Sequence, residues 1–277
     1  MIGPNGSGKS TLLRLLATDL TRTDGSLELL GHDSINPTSE LRRRIAWVSD
    51  SPVHIHALSG WENLEFFGGL RGRAGSRSRE RFHELLALFG LQADAQVHVS
   101  DYSFGMARKL ALVEALAAEP DLLVLDEPSV GLDPEGVAAL RDEVAAAAAR
   151  GATVFLATNE ILEVPTWADR ILFLHRGRLL DEGSRTELLE RVRGKTRIEV
   201  ELTGPPPRID PPPGITRLHL GFREVVAESE EGSRPLPRLL RGLLEEGPSI
   251  RNVRVREPDL SDVFRSLAGV GLDGGDE

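Results

Sequence analysis

Near its amino end the chain carries Gly3-Pro4-Asn5-Gly6-Ser7-Gly8-Lys9-Ser10-Thr11, a run that matches G-x-x-x-x-G-K-[ST]. Few backbones can accommodate it. Glycines at this spacing let successive N–H groups turn inward around an anion, where a Cβ would collide. Directly afterwards Leu12, Leu13, Leu15, Leu16 and Leu20 set an apolar pattern of helical period. The loop therefore opens a helix, whose N-terminal N–H groups face the same anion. Lys9 supplies a point charge for the β- and γ-phosphates of a nucleotide, and Ser10 an oxygen for Mg²⁺. Such a loop ordinarily follows a buried strand of about 5–6 residues, whereas only Met1 and Ile2 precede Gly3. The expectation is that N-terminal strands are missing, either because the true start lies upstream or because this is a truncated copy.

A second feature with chemical content is Leu122-Leu123-Val124-Leu125-Asp126-Glu127-Pro128, an apolar strand that ends in two carboxylates. Asp126, at the strand's carboxyl end, suits Mg²⁺ held through water. Glu127, one residue on, suits a general base that polarises an attacking water. Upstream, Ser103 stands as an N-cap before a helix with Leu110, Leu112, Val113 and Leu116 on its apolar face. Downstream, Val130-Gly131-Leu132-Asp133-Pro134 reads as a turn into an Ala-rich helix.

The organisation around these motifs is that of a parallel sheet wrapped by helices. Arg44–Val48, Asp121–Leu125, Thr153–Ala157 and Arg170–His175 are short runs rich in Ile, Val and Leu, as expected of strands covered on both faces. Between the first two, Ser59 to Ala118 reads as successive helices, interrupted by a basic, loop-like Arg71–Arg79. Composition changes near Lys195. Pro205–Pro207 and Pro211–Pro213 favour stiff extended chain, flanked by strand candidates Thr196–Leu202, Thr216–Leu220 and Val253–Val255 and helical Leu236–Leu244 and Asp259–Leu267. A length of 277 residues suits about two domains of roughly 150 residues each. The division expected is 1–194, with a helical subdomain near 53–118, and a small α+β domain over 195–277, ending in a frayed Gly271–Glu277.

Composition narrows the function classes. Lys and Arg number 33 against 43 Asp and Glu, a net charge of −10 that disfavours a nonspecific grip on nucleic acid. The absence of cysteine removes disulfide scaffolds, thiolate metal sites and cysteine nucleophiles. No uncharged apolar run approaches the ~18 residues of a membrane span. His54 and His56 read as a loop pair rather than a metal site, and Trp47 and Trp61 as packing residues.

Taken together and in this order, the motifs resemble the nucleotide-binding subunit of an ATP-binding cassette transporter. Gly3–Ser10 resembles the Walker A loop, Ser103–Met106 the family signature, Leu122–Glu127 Walker B and Gly131–Asp133 the D-loop. Glu257–Phe264 is similar to the closing motif of many bacterial exporter ATPases, which carry a small C-terminal accessory domain. The resemblance implies an α/β P-loop NTPase fold with a mixed, mainly parallel sheet and a helical subdomain. It implies a nucleotide-binding set of Asn5, Gly6, Ser7, Gly8, Lys9, Ser10, Thr11, Ser103, Gly105, Met106 and Asp133. It also implies a head-to-tail pair of subunits, as homodimer or heterodimer, with each ATP between one Lys9 loop and the other subunit's Ser103–Gly105. The helical region would meet an integral membrane permease, placing the chain in the cytoplasm, peripheral to the inner face of the cell membrane. Nucleic acid is not an expected partner.

This chain departs from the family pattern at three places. The region that supplies an adenine-stacking aromatic is absent. In Ile45–Pro52, similar to the Q-loop, Asp50 stands where glutamine is usual; as a further ligand for Mg²⁺ beside Ser10 and Asp126, it adds a third carboxylate. In Leu156–Glu160, Asn159 stands where the switch histidine is expected, and asparagine donates a hydrogen bond without becoming cationic. The expected function is therefore an ATPase that powers export, with Glu127, Asn159 and Asp50 as its catalytic set and slow turnover. The alternative is a degenerate or truncated subunit that uses ATP as a dimerisation clamp with little hydrolysis.

Overall fold

In a computed structural model the described residues are 1–51, 53–73, 75–159, 168–191, 196–245 and 248–268. They divide into two compact units, Met1–Val164 with Leu174–Arg178, and Pro165–Phe173 with Leu179–Glu277. The boundary expected at Gly194/Lys195 and the tail Gly271–Glu277 lie outside the described residues, as do Pro52 and Glu160 of the quoted motifs.

The first unit begins with α1 (Lys9–Leu16), a short antiparallel pair β1 (Glu28–Leu29) and β2 (His32–Asp33), and α2 (Ser39–Arg43). Strand β3 (Ile45–Val48) follows, then α3 (Gly60–Leu70), α4 (Ser76–Leu88) and α5 (Phe104–Ala117). After these come β4 (Leu122–Asp126), α6 (Pro134–Ala149) and β5 (Thr153–Ala157). Strands β3, β4 and β5 form a parallel sheet in that spatial order. Ile2 extends it beyond β5. It bridges Thr158 in parallel, the Met1 carbonyl accepts from Thr158 N–H at 3.0 Å, and the Ile2 carbonyl accepts from Leu174 N–H at 2.8 Å. The chain segment that leads into the phosphate loop thus lies in strand register, flanked on both sides. All these parallel segments present their carboxyl ends to one edge, the edge at which open α/β sheets bind ligands.

Alternation along β4 explains the layering. Leu123 and Leu125 point into a core shared with Leu85, Leu86, Leu110, Val113 and Leu140 of the helices. Leu122 and Val124 point the other way, against Leu13 of α1, Leu41 and Ala157. A strand covered on both faces has no polar positions to spare, which is why the apolar run of β4 is unbroken until Asp126. Truncating such a fully buried leucine to alanine costs about 2–5 kcal/mol.

Helix α3 starts where the sequence supplies a capping box: Ser59 Oγ accepts from Glu62 N–H at 3.1 Å, and the Glu62 carboxylate accepts from Ser59 N–H at 2.8 Å. The basic stretch expected to be loop through Arg79 is shorter than that. Ser76–Arg79 already belong to α4, in which Arg79 pairs with Glu65 at 2.8 Å. With neither Gly nor Pro after Gly75, nothing stops the helix from starting there. Trp61 stacks on His83 and meets Phe82 edge-on, so it is a packing residue as expected.

Strands β6 (Ile171–His175) and β7 (Arg178–Gly183) pair with each other. In the second unit α7 (Arg185–Arg191) is followed by β8 (Thr196–Leu202), β9 (Ile215–Leu220), β10 (Glu224–Ser229), α8 (Leu236–Glu245), β11 (Ile250–Arg256) and α9 (Leu260–Ala268). The strands form an antiparallel sheet ordered β11-β8-β10-β9. Ile198, Val200, Val225 and Ala227 on one face pack against Leu239 and Leu243 of α8. Phe264 of α9 packs against Phe173 with ring centroids 5.8 Å apart. The proline-rich segment has no regular structure, in keeping with its composition.

Candidate functional site

The loop after Ile2 is shaped by its backbone. Gly8, the residue before α1, has φ +102°, a conformation that residues with side chains rarely adopt, and no side chain caps the helix. The first N–H groups of α1 are therefore not spent on a cap. Ser7 N–H donates to the Pro4 carbonyl at 3.1 Å, and Gly177 N–H donates to the Ser7 carbonyl at 2.8 Å, which holds the loop from behind. Ser7 Oγ is buried without a hydrogen-bond partner. Lys9 is 6% exposed and donates to the Gly3 carbonyl at 2.7 Å and the Pro4 carbonyl at 3.3 Å. Burial pulls its pKa down, while the charges of Glu127 and then Asp126 push it back up.

The carboxylates gather at the same edge. Asp126 is buried at the end of β4 and its carboxylate is hydrogen-bonded by Ser10. Burial raises its pKa, Ser10 opposes that, and the charge of Asp50 adds to the rise. Asp50 itself is exposed just past the end of β3. Glu127 adopts φ +47°, its N–H donates to the Ala157 carbonyl at 2.9 Å, and its Oε1 accepts from the Asn159 N–H at 2.8 Å. Its pKa is raised by burial, against a hydrogen bond from Thr158 and the charge of Lys9. A carboxylate with raised basicity, oriented from two sides, is suited to accept a proton.

The donor set fits a triphosphate and a hard cation. A lysine, unspent helix N–H groups and the orphaned Ser7 hydroxyl face phosphate chemistry, while Ser10 and Asp126 offer oxygens of the kind Mg²⁺ selects. Lys9, Ser10, Asp126, Glu127, Asp50 and Asn159 are thus brought to one edge.

Ser103, Gly105, Met106 and Asp133 form a separate cluster. Ser103 caps α5 by accepting from Met106 N–H at 3.2 Å. A Cβ built on Gly105 would meet the Gly131 carbonyl oxygen at 2.7 Å, so the start of α5 and the 131 turn are in close contact. Asp133 accepts from Gly136 N–H at 2.8 Å as the cap of α6 and pairs with Lys109 at 2.8 Å. The Lys109 bond holds Asp133 below the usual carboxylate range. Phe104, between Ser103 and Gly105, is 55% exposed.

Sequence reasoning missed Arg108, which is fully buried and donates to the main-chain carbonyls of Ser49, Asp126 and Glu127. The only signal available was its place one turn into a helix that opens on Ser103, since side chain-to-carbonyl contacts leave no motif. His54 is also buried, and burial lowers its pKa to about 4. Among the described residues no group of three or more His, Cys, Asp or Glu could hold a metal ion.

Comparison with known proteins places this geometry. Residues 1–130 match the family model described as ABC transporter. The daunorubicin resistance ATP-binding protein DrrA3 of Streptomyces coeruleorubidus is 36% identical, over 97% of this chain and 86% of that protein. The daunorubicin/doxorubicin resistance ATP-binding protein DrrA of Streptomyces peucetius is 34% identical, over 97% of this chain and 83% of its own. A solved ATP-binding subunit of an ABC transporter superposes with a TM-score of 0.65 at 27% identity, covering 69% of this chain and 80% of the other. With the phosphate loop, carboxylate pair and helical region in matching order, the chain belongs to the ATP-binding subunits of ABC transporters.

Proposed function

We propose that this ATP-binding and ATP-hydrolysing subunit powers export through a separate membrane permease, with Glu127 as the base that activates water. The observation that carries this reading is the Glu127 carboxylate, held by Asn159 N–H at 2.8 Å at the same sheet edge as Lys9 and Ser10. Lys9 and the N–H groups of the loop and α1 bind the β- and γ-phosphates of ATP, with Asn5, Gly6, Ser7, Gly8 and Thr11 completing the cradle. Ser10 and Asp126, with Asp50, would hold Mg²⁺, which neutralises charge on the phosphate oxygens. Glu127 takes a proton from the attacking water onto its carboxylate, and the side chain of Asn159 donates to the γ-phosphate. Catalysis is then mainly positioning and electrostatics.

Several relatives support the exporter reading by name, among them the two resistance proteins, a bacitracin transport protein of Enterococcus faecalis and a Nod factor export protein of Neorhizobium galegae. No helix among the described residues is long and apolar enough to cross a membrane, so the spanning path belongs to another chain in this reading. The partners proposed are that permease and a second ATP-binding subunit, paired so that Ser103, Gly105, Met106 and Asp133 of one subunit complete the other's site. The location proposed is the inner face of the cell membrane. We also propose that residues 1–194 form the nucleotide-binding domain and 195–277 an accessory domain.

Asp50 and Asn159 favour a second reading, a clamp that binds ATP and scarcely turns it over. Steady-state phosphate release by the full chain, with and without Mg²⁺ and with Glu127→Gln, separates the two. The enzyme reading requires Mg²⁺-dependent release that falls by ~10²–10⁴-fold in the variant, the usual range for a general base. Release at the level of Glu127→Gln in the unaltered chain, with ATP still bound, selects the clamp.

A further inference from the structure

Arg108 sits about one turn into α5 beyond Ser103, with no part of its side chain exposed. Its Nη1 donates to the Ser49 carbonyl and its Nη2 to the carbonyls of Asp126 and Glu127. Those oxygens belong to two different strand ends. Ser49 immediately precedes Asp50 after β3, while Asp126 is the last residue of β4 and Glu127 opens the turn that follows it. One guanidinium thus joins the helix that begins at the Ser103 cluster to both strand ends that bear the candidate site's carboxylates.

The arrangement differs from ordinary core filling in three respects. A buried guanidinium is costly to desolvate and is retained only where its surroundings compensate it. Here Asp126, Asp50 and Glu127 all favour its charged form against burial. The side chain also leaves its own Nε buried without a partner, so one donor is forgone while the fork stays on these three oxygens. Finally, Glu127 is held at φ +47°, a conformation disfavoured for any residue with a Cβ, and its carbonyl is one of the three that Arg108 engages.

We propose that Arg108 is a positioning residue for hydrolysis: it transmits the placement of the α5 N-terminus to the water-activating carboxylate of Glu127 and to the turn carrying Asp50. The proposal rests on the reading of Glu127 as general base. The acceptors of Arg108 are all main-chain carbonyls, so in this reading it acts through the backbone rather than on phosphate. Its planar fork fixes carbonyl directions in a way that a point charge on a flexible stem cannot, so displacement of α5 is passed to both turns together. Closure of a second subunit onto Ser103 would then be felt at the carboxylates through one side chain.

The test uses the full chain with Arg108→Lys and Arg108→Gln, each also combined with Glu127→Gln. Phosphate release, KM for ATP and the thermal midpoint are measured for every protein. Lysine keeps the charge and loses the fork. Arg108→Lys should lower kcat by about tenfold or more with KM changed by less than about threefold, and Arg108→Gln should lower it further. In the Glu127→Gln background neither change should lower the residual rate by more than about twofold, because residues that act through one group are not additive. Equal losses in both backgrounds, a KM that rises in step with the fall in kcat, or loss of a cooperative melt in both variants makes Arg108 purely structural and overturns the proposal. Phosphate release by the unaltered chain that is insensitive to Glu127→Gln strikes first at the assignment of the base, a failure recognisable without any Arg108 variant.

Discussion

The main-chain N–H of Asn159 donates to Oε1 of Glu127 at 2.8 Å. Asn159 therefore orients the carboxylate of the proposed base through its backbone, which in that reading leaves its side chain to act separately on phosphate. An asparagine there donates a hydrogen bond but brings no positive charge to the γ-phosphate as negative charge shifts in the transition state. Asn159→His should raise kcat by about tenfold or more, a modest share of what a preorganised donor contributes, with little change in ATP affinity. Single-turnover and steady-state phosphate release by the full chain check this, and an unchanged rate removes the switch role from position 159.

Asp50 brings a third negative charge to the sheet edge; burial is the main reason the pKa of Asp126 is raised, and the charge of Asp50 adds to it. Two like charges about 5 Å apart in an effective dielectric near 20 repel by roughly 3 kcal/mol, and a bound divalent cation offsets much of that. Hydrolysis should therefore depend more steeply on Mg²⁺ in this chain than in Asp50→Gln. Magnesium titrations of phosphate release on the two proteins decide it; superimposable curves would show that Asp50 lies outside the metal's influence.

If Glu127 is the base, as proposed, its raised pKa sets the acid limb of the rate profile. Glu127 titrates above the ordinary carboxylate range because burial disfavours its charged form, and only the ionised form accepts a proton. Activity should fall as pH drops through that raised value, at a higher pH than an exposed glutamate would give. The limb should be absent from the residual activity of Glu127→Gln. A pH–rate profile of kcat for both proteins provides the measurement.

Away from the site, Glu114 on α5 is pushed up to about 7 by burial, with Arg71 at 4.0 Å opposing the shift. Its folded-state pKa thus lies above the unfolded value, so the native state holds this proton more tightly. The contribution to stability is greatest at low pH and is lost as pH rises from the unfolded value towards about 7. One pKa unit corresponds to about 1.4 kcal/mol, so Glu114→Gln should gain on the unaltered chain by about 3 kcal/mol between acid and pH 8. Urea unfolding of both proteins across that range tests it. His54, lowered to about 4, titrates in both and cancels from the difference.

The legible parts of the molecule were those in which one local rule decides the outcome. Glycine spacing, the lysine and the helix that follows declared the phosphate loop, and an apolar run closed by Asp126 and Glu127 declared a strand buried on both faces. Strands β7 and β10 and helix α7 were not anticipated. They are short, mix charged with apolar residues, and are held by pairing or tertiary packing rather than by strong periodicity. The place of Ile2 between Thr158 and Leu174 was invisible for a similar reason, because partners so distant in the chain are not encoded in two residues. Arg108 was hidden because a guanidinium bound to carbonyls makes demands on the backbone of its partners and none on their identity.

The close approach of Gly105 to Gly131 has a consequence for how this protein tolerates change. A methyl group at 105 would overlap the Gly131 oxygen, and one at 131 would overlap the Phe104 ring at 2.8 Å, so enlarging 105 requires the 131 turn to back away and enlarging 131 requires the Phe104 ring to move. Any such retreat tugs at Asp133, two residues along, and loosens its hold on Lys109 and on the first turn of α6. The two segments are therefore mechanically a single part, and drift in either one is policed by its neighbour.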